Sequence, residues 1–168
     1  MTKIEQARQG LITEDFKKVS EREHIQIETL MKDIAEGRTV ILKNLKRTIE
    51  PVAVGSGLRT KINANIGTSK DRVSLDEEME KLEIAVRYGA DAVMDLSTGG
   101  PIQELRRLML SKSPLPVGTV PIYEAAVKAA EEYGSIVKMS PDDMFRVIEA
   151  QAEEGVDFMT VHSGLTLQ

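Results

Sequence analysis

Apolar positions recur along this chain with two different periods, and the change of period marks its organisation. In the first fifty residues Ile25, Ile27, Leu30, Met31 and Ile34 fall at roughly helical spacing within a charged segment, and Gly37 predicts a stop. Thr39-Val-Ile-Leu42 predicts a short strand. Residues 46–58 carry Pro51, Gly55 and Gly57 and read as loop or irregular extended chain.

From residue 59 the pattern becomes regular. Thr60–Ile66 predicts a strand ending at Gly67. Ser74-Leu-Asp-Glu77 fits a capping box opening a helix whose apolar residues Leu75, Met79, Leu82 and Val86 share one face, with Gly89 ending it. Ala92–Leu96 predicts the next strand and Pro101–Ser111 a shorter helix. Pro116–Ile122 predicts a third strand and Tyr123–Tyr133 a third helix. Ser140-Pro141-Asp142-Asp143 predicts a fourth helix, with Ser at the cap, Pro in the first turn and acids at the positive end. Gly155 closes that helix, and Asp157–His162 predicts a fourth strand.

Two segments repeat. Gly89-Ala-Asp-Ala-Val-Met-Asp-Leu-Ser97 aligns with Gly155-Val-Asp-Phe-Met-Thr-Val-His-Ser163 at an offset of 66 residues, about two βα units of ~30 residues. Each copy follows an amphipathic helix. Strands alternating with helices, without a Gly-rich dinucleotide loop, favour a (β/α) barrel over a doubly wound sheet. The predicted fold is α/β. A mainly helical segment with one short strand spans residues 1–58, and about four βα units of a (β/α)8-type barrel span 59–168. Since a barrel needs eight such units, the segment reads as a partial, truncated barrel, or one completed by a partner; a small open sheet, whole as it stands, is the alternative.

Composition narrows the function. Hydrophobic residues make up 41% and charged residues 29%, an ordinary globular balance. No run approaches the ~20 apolar residues of a membrane span, and the polar N-terminus is no secretory signal, so the cytoplasm is the expected compartment. The net charge of -5 argues against general nucleic-acid binding. With no cysteine, the chain holds no disulfide, no thiolate nucleophile and no cysteine-ligated cluster; with only His24 and His162, a self-contained zinc site is not expected either.

In a parallel barrel, functional residues sit at the C-terminal strand ends. The candidates there are Asn65, Met94, Tyr123 and His162. The first three are spaced by 29 residues, as equivalent positions in successive units would be, and His162 follows 39 later, which predicts a longer loop around Gly134–Pro141. Asn65 can bind a base edge or a phosphate, or tie down a loop. Met94 is either core or a thioether packed on a heteroaromatic ring. Tyr123 and His162 divide between structural hydrogen bonding and ligand contact. Gly99-Gly100 can present backbone N–H groups to an anion, a weak signal. The acids Asp76, Glu77, Glu78 and Glu80, Glu131-Glu132 and Glu153-Glu154 read as solvated helix faces. No catalytic residue and no metal ligand is named from the pattern.

The segments Lys61–Gly67, Gly89–Gly99, Ser113–Tyr123 and Glu154–His162 closely resemble the phosphomethylpyrimidine synthase family, and Ser20–Glu23 and Ile34–Arg38 resemble it more weakly. The resemblance runs over nearly the whole chain and corresponds to the family's N-terminal part. It implies a (β/α)-barrel lyase, usually a homodimer, that converts 5-aminoimidazole ribotide to hydroxymethylpyrimidine phosphate in thiamine biosynthesis. It also implies a 4Fe–4S cluster that cleaves S-adenosylmethionine to a radical, and a zinc site. It assigns Asn65, Met94, Tyr123 and His162 to the ribotide pocket. The family's zinc histidines and cysteine triplet have no counterpart in this sequence, and Ser163 stands where Ala is common. The expectation is therefore a chain that carries part of a substrate pocket and is inactive alone. The alternatives are a non-catalytic ribotide-binding or partner-binding module, or a defunct fragment.

Overall fold

The computed structural model describes residues 1–164; the last four residues of the segment expected over 59–168 lie outside that range. Among the described residues are seven α-helices, a two-stranded antiparallel sheet and a four-stranded parallel sheet.

Three helices open the chain: α1 (Lys3–Arg8), α2 (Glu14–Glu23) and α3 (Ile27–Ala35). Thr2 and Thr13 cap the first two through their side chains. Helix α2 ends at His24 in the left-handed region, φ 53°, so one of the two histidines is a helix terminator. Phe16 and Val19 of α2 pack on Leu30 and Ile34 of α3, with Ala7 and Ala53 completing the cluster.

Strand β1 (Thr39–Leu42) pairs antiparallel with β2 (Val52–Gly55), Leu42 opposite Val52 and Thr39 opposite Gly55. This hairpin corrects the irregular reading of 46–58. Pro51 and Gly55 leave only Val52-Ala53-Val54 between breakers, a run too short to display a period, and the ladder is completed by the distant β1.

The rest of the chain alternates: β3 (Asn63–Ile66), α4 (Leu75–Arg87), β4 (Ala92–Asp95), α5 (Ile102–Lys112), β5 (Val117–Thr119), α6 (Pro121–Tyr133), a 3₁₀ turn at Ile136–Lys138, α7 (Pro141–Glu154) and β6 (Phe158–Met159). The strands pair in parallel in chain order. Strands β3 and β6 are the edges, so the described residues form an open sheet and no closed barrel. All four strands are shorter than the sequence predicts. Pro121 shows why for β5: its fixed φ starts α6 two residues past Thr119, and the apolar run simply continues into the helix.

One sheet face packs on helices, where Ile66, Val93 and Val117 meet Met79, Leu82, Leu105 and Met109, and Ala64 joins them. Side chains alternate along a strand, so Asn63, Asn65, Met94 and Gly118 point to the other face. At the strand starts that face is covered by the hairpin, leaving a cavity of ≈ 590 Å³ lined by Val40, Val54, Leu58, Ala92 and Phe158.

The Gly-x-Asp repeat belongs to this lower end. Asp91 accepts from the backbone N–H of Ile62 (2.8 Å) and pairs with Arg59. Asp157 accepts from Val117 N–H (2.9 Å), from Asn44 N–H (2.7 Å) and from Arg47 (2.5 Å). In both copies the aspartate fastens the bottom of the preceding strand to an arginine, Arg59 just ahead of β3 in one and Arg47 of the N-terminal segment in the other. The repeat is structural, and its chemistry is hydrogen bonding to backbone donors that would otherwise lack partners.

Candidate functional site

Register carries two of the four candidate residues to one place. Asn65 lies directly opposite Met94, Met94 opposite Gly118 and Gly118 opposite Phe158, forming one row across the helix-free face. Asn65 is exposed, and its amide oxygen accepts from the Asn63 side chain (3.1 Å). Met94 is buried. Gly118 has no room for a side chain, because a Cβ there would run into the Phe158 ring.

The other two candidates meet each other. The rings of Tyr123 and His162 lie 6.4 Å apart between centroids, tilted by 40°. Tyr123 stands in the first turn of α6, as the predicted helix Tyr123–Tyr133 has it, although that helix opens two residues earlier, at Pro121. His162 lies beyond β6, which stops at Met159, although Thr160 N–H still donates to Thr119 (2.8 Å). His162 is exposed and Tyr123 half-buried. All four residues thus lie toward the C-terminal ends of the strands, as two adjacent pairs.

Beneath this rim the loops after β3 and β4 are locked together. Ser97 Oγ accepts from Thr68 N–H (3.0 Å) and donates to Asp95 (2.5 Å), and Thr68 Oγ1 donates to the Gly99 carbonyl (2.6 Å). Gly67, at φ 145°, permits this: a Cβ would sit 2.6 Å from the backbone nitrogen of Ser97. Burial pushes the Asp95 carboxyl above its ordinary range, against the hydrogen bonds from Ser97. Gly99 is buried within this junction, so the glycine pair serves the meeting of the loops.

Three acids correct the solvated-face reading or were missed by it. Glu78 is buried and accepts from Gly67 N–H (2.7 Å) and Lys81 (2.6 Å). Its signal was available, since Glu78 lies on the stripe of Leu75 and Leu82 at helical spacing. Glu154 is largely covered and binds Arg106 (2.6 Å) and Arg107 (2.9 Å). Glu124, next to Tyr123, is the most heavily bound: it accepts from Arg106 (2.6 Å), Gln151 (2.7 Å), Gln103 (2.9 Å) and Lys128 (2.7 Å). Burial alone would raise its carboxyl, but the hydrogen bonds from Lys128, Gln151 and Gln103 and the charge of Arg106 hold it down to about 2. The Glu124–Lys128 spacing of four residues reads as a surface pair in sequence, which hides this burial.

The residues present do not fit an iron–sulfur cluster or a zinc ion. The chain has no cysteine, and among the described residues no group of three or more His, Asp or Glu side chains is placed to hold a metal. Among the same residues no helix is long and apolar enough to cross a membrane.

A family model described as the radical SAM ThiC family matches residues 2–168. Phosphomethylpyrimidine synthase from Thermodesulfovibrio yellowstonii is 60% identical over 166 residues, covering 99% of this chain and 39% of the relative. The synthases of Methanocaldococcus jannaschii and Moorella thermoacetica are 55% and 53% identical over the whole chain, again over 39% of their own length. The chain thus spans about two fifths of the curated relatives it matches, their N-terminal part. With a family model matched from residue 2 onward and identities above half along the full chain, this protein belongs to the radical SAM ThiC family.

Proposed function

We propose that this chain forms one wall of the ribotide pocket of a phosphomethylpyrimidine synthase, a cytoplasmic carbon–carbon lyase of thiamine biosynthesis whose sheet closes into a (β/α)8 barrel. The observation that carries the reading is the pairing at the rim: Asn65 in register with Met94, and Tyr123 against His162, all toward the C-terminal ends of parallel strands. The exposed amide of Asn65 and the exposed imidazole of His162 offer hydrogen bonds to a polar ligand, while the half-buried Tyr123 ring offers apolar surface to a flat ring and the buried Met94 thioether backs the Asn65 position. These residues bind and orient 5-aminoimidazole ribotide. The 4Fe–4S cluster and zinc of the family's chemistry require ligands that this chain does not contain, so no step through them, or through the S-adenosylmethionine that the cluster cleaves, is assigned to it.

The test is calorimetry of 5-aminoimidazole ribotide with the full-length protein. Asn65→Ala and His162→Ala are each expected to weaken binding by about tenfold or more, with the melting midpoint unchanged. Binding equal to wild type in both variants would overturn the assignment.

A further inference from the structure

The side of α6 away from the rim carries a closed polar cluster that the pocket itself does not use. Glu124 is 4% exposed, Arg106 1% and Gln151 2%. The Glu124 carboxylate takes donors from Gln103 and Arg106 of α5, Lys128 of α6 and Gln151 of α7. That fills the roughly four acceptor sites a carboxylate has. Gln151 in turn accepts from Thr119 Oγ1 at the end of β5 (2.7 Å), and Glu154 of α7 holds the Arg106 Nε (2.6 Å). One carboxylate therefore joins three helices and, through Gln151, a strand end.

Tyr123 and Glu124 are consecutive in the first turn of α6. Consecutive helical side chains diverge by roughly 100°, so one can face the helix layer while the other faces the rim. They cannot turn independently: rotation of this turn about its axis moves both. Pro121 fixes where the helix starts, and the contacts of Glu124 fix how it is rotated. We propose that Glu124 is a positioning residue, which through Arg106, Gln103 and Gln151 sets the azimuth of the α6 first turn and so holds the Tyr123 ring against His162. The proposal rests on the ribotide reading for its functional consequence, but not for its geometry.

Replacing Glu124 with Gln keeps the shape and removes the charge. The guanidinium of Arg106 is then left with Glu154 as its carboxylate partner, and its Nη2 already has no partner among the described residues. The charged donors no longer hold the turn in one orientation.

The experiment uses the full-length protein in two measurements. In the first, 5-aminoimidazole ribotide is titrated into wild type, Glu124→Gln, Tyr123→Ala and the double variant. Glu124→Gln is expected to weaken binding about tenfold in the wild-type background and to have no further effect once Tyr123 is Ala, because its whole effect passes through that ring. Equal losses in both backgrounds would mean a general structural role and would overturn the proposal. In the second, the ¹³C-labelled imidazole signal of His162, assigned by loss in His162→Gln, is recorded without ligand. Glu124→Gln is expected to move it toward the position it takes in Tyr123→Ala; an unmoved signal overturns the proposal. Should Glu124→Gln fail to fold, Gln103→Met removes one donor more gently and is read the same way. If wild type binds no ribotide, the proposed function falls and the His162 signal alone decides the positioning.

Discussion

Asp157→Ala is expected to destabilise the chain by about 4 kcal/mol, twice the effect of the equivalent Asp91→Ala. The two aspartates occupy matching positions of the Gly-x-Asp repeat, and each accepts from a backbone N–H at the start of the neighbouring strand, Ile62 just before β3 and Val117 at the first position of β5. Their surroundings differ. The Asp157 side chain is fully buried and its partner Arg47 is 7% exposed, whereas Arg59, the partner of Asp91, is 55% exposed. Removing Asp157 strands a buried guanidinium and two backbone donors, Val117 N–H and the half-buried Asn44 N–H; breaking a buried pair from one side costs about 3–5 kcal/mol. Removing Asp91 leaves Arg59 free to return to water, where such a pair contributes at most about 1 kcal/mol. The unmet Ile62 N–H then accounts for about 1–2 kcal/mol more. The assay is urea unfolding of both variants beside the parent chain. At about 2 kcal/mol per molar urea, the midpoints should differ from each other by roughly 1 M with an unchanged slope. Equal midpoints, or a larger loss for Asp91→Ala, would refute the claim that burial of the cation sets the size of the effect.

Three further outcomes follow from other contacts. Because the Glu124 carboxyl is held down to about 2 from 4.5, its contribution is fully present above about pH 4.5 and is lost as pH falls toward 2, a loss on the order of 3 kcal/mol. Urea stability measured from pH 5 to 2 should show this limb in the parent chain and lack it in Glu124→Gln; Asp95, raised by burial, works in the opposite sense, its contribution declining as pH climbs through its raised value. Gly118→Ala should destabilise by about 1–3 kcal/mol through collision with the Phe158 ring, and Phe158→Ala in the same chain should cancel that increment, both read from denaturation midpoints. Gly67→Ala, with its Cβ 2.6 Å from the Ser97 nitrogen, should cost about 3 kcal/mol and give faster amide exchange at Thr68 and Thr98, whose N–H groups bridge the two loops.

Helices were the most legible part of the sequence, because their signals are local. The stripe Leu75, Met79, Leu82, Val86 is the packed face of α4. Ser140 caps α7 with Asp143 in a full capping box, while Ser74 caps α4 alone and Glu77 turns to Arg72. Strand lengths were less legible, since Pro116–Ile122 is one apolar run that the chain divides between β5 and α6. The repeat was visible as a pattern, yet its purpose depends on Arg47 and Arg59, which lie far away in sequence.

The sequence by itself therefore determined the alternation of strands and helices after residue 59 and the packed stripe of α4, because periodicity and caps act over a few residues, and its motifs carried the family. Tertiary structure alone decided that Asn65 stands in register with Met94, that Tyr123 meets His162, and that Glu78, Glu124 and Glu154 turn inward. An acid on a helix looks the same in sequence whether it faces water or a buried arginine. Only the packing of α5, α6 and α7 supplies the donors that make burying the charge of Glu124 favourable.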